Sequence, residues 1–186
     1  DHFSFEETSD TARYGAFRST LHEAVAVNVP SALGKLSNAV NFTDSTQFLW
    51  SSTFVPSLGP RWSSTFWFRA ASLPALGTGY AFFGRDATGN PGTLVYLWTA
   101  AGPVTNVCVQ TYNKEGTSPV ATCNATSIIA GTTYFAAVGV GDPDDAPGAL
   151  QSWVSINGGA KTTTTLNDFP WSGLSQIRVG QRPIGG

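Results

Sequence analysis

Short runs in which apolar residues recur at every second position fill this chain, and almost no stretch carries an apolar stripe of helical period. Val25, Val27 and Val29 share one parity, as do Val40 and Phe42, and Phe66 and Phe68 stand on either side of Trp67. The same beat returns in Leu94, Tyr96 and Trp98, in Tyr134 to Val140, and in Trp153, Val154 and Ile156. A strand sends successive side chains to opposite faces, so such runs predict strands with one buried side. Turn formers divide them at Ser57 to Pro60, Gly77 to Gly79, Gly89 to Gly92, Gly141 to Gly148 and Asn157-Gly158. Roughly a dozen strands at a spacing of about 8 to 12 residues predict an all-β antiparallel sandwich of the jelly-roll kind. The tract Thr162 to Thr165 reads as an edge strand favoured by β-branched residues, in preference to a cluster of O-linked sugars.

No composition shift and no repeat divides the sequence, which predicts one domain over residues 1–186. At this length a fold hides roughly 70% of its unfolded surface, so the core needs no metal to support it. Ten Lys and Arg against twelve Asp and Glu give a net charge of −2, which supplies no cationic field for nucleic acid. No apolar run approaches the ~18 residues of a membrane span, so membrane insertion is not expected. The opening Asp1 is neither Met nor the start of an apolar leader, so the chain reads as processed.

Several segments, in order, resemble the laminin-G-like branch of the concanavalin A-like lectin and glucanase jelly rolls. Phe3-Ser4-Phe5-Glu6-Glu7-Thr8 is similar to that family's first strand and acidic turn. Asn38 to Phe42 and Ser64-Thr65-Phe66-Trp67-Phe68-Arg69 resemble two of its strands. Phe82 to Asp86, Gly131 to Val138, Trp153 to Gly158 and Ile177 to Gly180 follow in the family's order. The resemblance spans nearly the whole chain and implies two curved antiparallel sheets, with the first strand beside the last. It implies no single activity, since these jelly rolls serve as lectins, adhesion modules, spacers and glycosidases.

Thr105 to Tyr112 and Ser118 to Thr126 flank a loop and read as a hairpin. With its turn centred between Glu115 and Gly116, Cys108 and Cys123 are equidistant from the centre and stand opposite each other. A directly opposed pair lies about 4.5 to 5.5 Å apart at Cα, within reach of a disulfide, and a disulfide places the protein in an oxidising, extracellular compartment. Two N-glycosylation sequons, at Asn41 and Asn124, point the same way and would explain a surface with so few charges. The hairpin register sets Asn124 opposite Val107 and on the other face from Cys123, so either Val107 lies outside, or Asn124 is bare, or a twist at the strand end turns Asn124 outward.

The chemistry of a glycosidase needs two carboxyl groups a few ångströms apart, which jelly-roll glucanases carry along one strand as Glu-x-Asp-x-x-Glu. The four Glu here, Glu6, Glu7, Glu23 and Glu115, are scattered. His2 and His22 belong to no nucleophile elbow or zinc spacing, and no glycine-rich loop opens a helix. The sequence therefore names no catalytic residue and no obligatory cofactor, and predicts that the chain is not an enzyme. The resemblance allows calcium, for which Asp142, Asp144 and Asp145 are the candidate ligands, although the same loop reads as an ordinary solvated turn. Of six tryptophans, Trp67 and Trp153 are expected in the core, while Trp62 and Trp171, in loop-like surroundings, are the candidates for stacking on sugar.

These readings predict a secreted, non-catalytic structural or adhesive module, glycosylated and assembling with copies of itself or other surface proteins into an array or filament. The segment of Phe3 and Phe5 is the candidate for strand exchange. The alternative is a carbohydrate-binding, lectin-like module, with or without calcium.

Overall fold

A computed structural model describes residues 12–14, 20–23, 31–33, 38–40, 42, 49–51, 61–87, 90–102, 104–112, 119–141, 150–167 and 176–180, with the backbone alone for the strand residues in 12–51, 85–91 and 176–178. Among the described residues there are fourteen strands and no helix. They are β1 (Ala12–Tyr14), β2 (Thr20–Glu23), β3 (Ser31–Leu33), β4 (Asn38–Val40), β5 (Leu49–Ser51), β6 (Trp62–Arg69) and β7 (Gly79–Ala87). There follow β8 (Asn90–Ala100), β9 (Val104–Tyr112), β10 (Pro119–Cys123), β11 (Thr133–Gly141), β12 (Gln151–Ile156), β13 (Thr162–Thr165) and β14 (Gln176–Val179). One sheet has the order β1-β2-β5-β14-β7-β8-β9-β10, a second β13-β12-β11-β6, and β3 pairs with β4. Every described pairing is antiparallel, so the chain is an all-β antiparallel sandwich.

The core lies between the two large sheets. Val95 and Leu97 of β8 and Val107 and Val109 of β9 face Ala136 and Val138 of β11 and Val154 and Ile156 of β12. Each Val, Leu or Ile among them contributes about 1.5 to 3 kcal/mol by leaving water. At one side the core is aromatic: Phe82 lies 5.0 Å from Phe66 and 4.6 Å from Phe68, ring centre to ring centre. A bulge in β7 makes this possible, since Ala81 pairs with Tyr96 and Phe83 with Val95, leaving Phe82 as the extra residue. Two consecutive phenylalanines can thereby both turn inward. Hydroxyls bridge the interior where those of Thr122 (β10) and Ser152 (β12) join the two sheets.

The parity expected for β8 is reversed. Val95 and Leu97 point into the core, whereas Tyr96 and Trp98 lie on the far side of the sheet, where their rings cover Gly79. Glycine at 79 admits this packing, because a Cβ there would stand 2.7 Å from the Leu97 carbonyl oxygen and 3.1 Å from Tyr96.

The resemblance misplaces one neighbour. β14 is flanked by β5 on one side and β7 on the other, so the place beside the last strand is held by Leu49–Ser51 and not by the N-terminal segment. Phe3 and Phe5 themselves lie outside the described residues. The tract Thr162 to Thr165 is β13, which among the described residues pairs only with β12, as expected of an edge.

The hairpin register follows the sequence closely. Cys108 pairs with Cys123 and the two form a disulfide, with Cα atoms 4.0 Å apart. The adjacent pair carries the main-chain bond, from the Asn124 N–H to the Val107 carbonyl at 3.0 Å. The cysteines consequently occupy the closer, non-hydrogen-bonded kind of pair.

Candidate functional site

The outer face of the four-stranded sheet is where aromatic and cationic side chains come together. In β6 the even positions Trp62, Ser64, Phe66 and Phe68 turn inward, and the odd positions Ser63, Thr65, Trp67 and Arg69 turn to solvent. Trp67 is therefore an outer residue, 45% exposed, directly opposite Phe135 of β11. Their ring centres stand 5.1 Å apart at an interplanar angle of 53°. The edge of the pair is held by Asn157, whose side-chain oxygen accepts from the Phe135 N–H at 2.9 Å. Asn157 can do so because it sits in the Asn157-Gly158 turn with φ of 53°, and 73° at the glycine, a conformation that these two residue types tolerate.

Trp153 of β12 lies on the same face. It pairs with Gly139 of β11, and its indole lies across that glycine: a Cβ at 139 would be 2.7 Å from the ring. The Lys161 ammonium sits 5.3 Å from the centre of this indole, held by the ring's negative face. Between Trp153 and the Trp67–Phe135 pair the surface is made of small side chains, Thr65, Ala137 and Ser155. By register the two aromatic positions are four residues apart along β11, about 13 Å. Arg69 stands two places beyond Trp67, its Nε donating to the Gly131 carbonyl at 2.9 Å. Arg61 marks the opposite end, its side chain lying against Gly141.

Several predicted site residues fall elsewhere. Trp62 is a core residue: its ring meets Phe83 edge-on with centres 6.0 Å apart, and its Nε1 is buried without a hydrogen-bond partner. It offers no stacking surface, because position 62 has the inward parity of Phe66 and Phe68. The expectation that Trp67 and Trp153 are core is corrected by the same parity, which sends both outward.

Asn124 also departs from expectation. It is 5% exposed, its side-chain oxygen accepts from the Val107 N–H at 2.6 Å, and its amide nitrogen donates to the Thr126 carbonyl. Val107 is buried in the core and Asn124 is buried as well, so the structure shows neither an outer Val107 nor an Asn124 turned outward by a twist at the strand end. A sugar would have to replace a hydrogen on that nitrogen at a residue which the fold leaves 5% exposed. Asn41, Trp171, Asp142, Asp144 and Asp145 lie outside the described residues.

Among the solved structures that resemble the chain are two alginate lyases. Alginate lyase Aly36B is 13% identical, over 95% of this chain and 75% of that one, with a TM-score of 0.49. The alginate lyase from Klebsiella pneumoniae is also 13% identical, over 93% and 77%, with a TM-score of 0.43. The likeness is one of fold. No protein-family model and no curated protein matches the sequence. Both matching structures are enzymes, and this corrects the expectation of a non-catalytic structural or adhesive module that builds filaments. It equally corrects the prediction that the chain is not an enzyme. That prediction rested on missing local motifs, whereas a sandwich can assemble a catalytic set from separate strands that no local motif reveals.

Proposed function

We propose that the protein is a secreted carbohydrate-binding β-sandwich whose ligand lies along the outer face of the four-stranded sheet. The observation that carries this reading is Trp67, a large apolar ring held at the surface by Phe135 and followed by a floor of small residues. A pyranose presents an apolar face of C–H groups and an equator of hydroxyls. An exposed indole meets the first, while Thr65, Ser63 and Asn157 supply hydrogen-bonding groups for the second. The length of the face suits a chain of sugars over a single ring. The Cys108–Cys123 disulfide supports secretion. At the level of family, the laminin-G-like kinship is supported by the order of its matching segments and by the Phe66-Trp67-Phe68 strand lying in the sheet beside the strand of Tyr134 to Val138.

The test is retention on immobilised polysaccharides, followed by titration calorimetry, for the native chain and Trp67→Ala. Loss of an anchoring aromatic is expected to weaken binding by about tenfold or more while leaving the melting temperature nearly unchanged. Equal binding by both proteins would place the ligand on another surface.

A further inference from the structure

The four strands of the smaller sheet contain no Asp or Glu, although acidic residues outnumber basic ones in the whole chain, twelve to ten. The charged side chains described on this face are all cations: Arg69 beyond Trp67, Lys161 over Trp153 and Arg61 at the far end. The acidic residues nearest in sequence, Asp142, Asp144, Asp145 and Asp168, lie outside the described residues.

Resting on the reading of this face as a sugar-binding surface, we infer that its ligand is an acidic polysaccharide, and that Lys161 and Arg69 are the residues that read its charge. Lys161 is placed for this by the Trp153 indole, which keeps the ammonium at the sheet surface instead of leaving it on a freely moving stem. Arg69 is placed by the bond from its Nε to Gly131, which engages the inner edge of the guanidinium and leaves the two terminal amino groups for a ligand. Those groups form the fork that matches a carboxylate or sulfate. The two cations lie on opposite sides of the floor made by Thr65, Ala137 and Ser155, so an extended chain resting on Trp67 passes both. A neutral glycan would use the aromatic ring and the hydrogen-bonding groups beside it, and gain nothing from the two cations.

The experiment measures dissociation constants of the native chain for dextran, dextran sulfate and polygalacturonate at low and high salt. The expected result is binding of at least one polyanion about tenfold or more tighter than of dextran, with the difference shrinking as NaCl rises from about 50 to about 500 mM. Tighter binding of polygalacturonate assigns the site to ring carboxylates, and of dextran sulfate to sulfate esters; either supports the inference. Arg69→Gln with Lys161→Gln should abolish the preference without lowering the melting temperature. Lys114→Gln, in the segment joining β9 to β10 of the other sheet, should leave it intact. Affinity for both polyanions no greater than for dextran, or an equal loss in the Lys114 variant, would overturn the charge-reading role while leaving the sugar-binding face in place. A chain that bound none of the three polymers would overturn both.

Discussion

The indole of Trp153 occupies the space that a side chain at position 139 would need. Gly139 has ordinary strand geometry, and glycine is required there by close approach alone: a Cβ would stand 2.7 Å from the Trp153 ring and 2.6 Å from the Trp62 carbonyl oxygen. Gly139→Ala is therefore expected to cost about 1 to 3 kcal/mol, because the backbone oxygen cannot yield. The displaced indole would take Lys161 with it and weaken glycan binding too. Denaturant unfolding and calorimetry on one variant read both effects, and unchanged stability would show that the strands separate more easily than this packing implies.

Trp62 offers a contrast on the same strand. Its Nε1 is buried without a partner, so Trp62→Phe removes an unsatisfied donor while retaining the ring that meets Phe83. The two effects oppose each other, and the net change is expected to be below about 1.5 kcal/mol, against about 3 to 5 kcal/mol for Trp62→Ala. Neither variant should alter sugar affinity per folded molecule. A selective loss of binding in Trp62→Phe would return this residue to the ligand surface.

Asn124 closes the end of the β9–β10 hairpin through both ends of its amide. Replacing it by Ala leaves the buried Val107 N–H without that acceptor and should destabilise the fold by about 1 to 3 kcal/mol. Intact mass and glycopeptide analysis of native material are expected to show position 124 unmodified. A glycan found there in folded protein would contradict the buried amide directly.

The disulfide joins residues already held by a ladder, across a sequence separation of 15. Replacing Cys108 and Cys123 together by Ala is expected to cost about 1 to 3 kcal/mol, near or below the loop-closure value, and to leave a folded sandwich. Thermal unfolding with and without reductant checks the size. Complete unfolding on reduction would mean that the hairpin does not stand without the bond.

Thr122 and Ser152 join the two sheets through buried hydroxyls. Thr122→Val or Ser152→Ala alone strands one polar group, at about 1 to 3 kcal/mol, whereas the double variant removes both and should cost less than the two together. A double-mutant cycle measures the coupling, and additive costs would show that each hydroxyl has another partner.

Sequence by itself determined the class of fold and the hairpin. Period-two runs can be read locally because strand geometry alone sends alternate residues to opposite faces, and β6, β11 and β12 lie where those runs fall. Cys108 and Cys123 could be paired because a hairpin converts distance from its turn into partnership, with nothing beyond nearest neighbours involved. Within β6, parity even held the outward direction of Trp67, opposite to Phe66 and Phe68, though a tryptophan between two phenylalanines read as core. Which parity faces the interior was beyond local reading, as Val95 and Leu97 against Tyr96 and Trp98 demonstrate, because both sets are apolar and only the opposing sheet selects one. The site was further out of reach: Trp67 and Phe135 are far apart in the chain, as are Gly139 and Trp153, and they meet through the pairing of β6 with β11 and of β11 with β12. Long-range register brought those rings and two cations onto one face, and that register is settled by the packing of the whole core, so no local stretch of the chain encodes it.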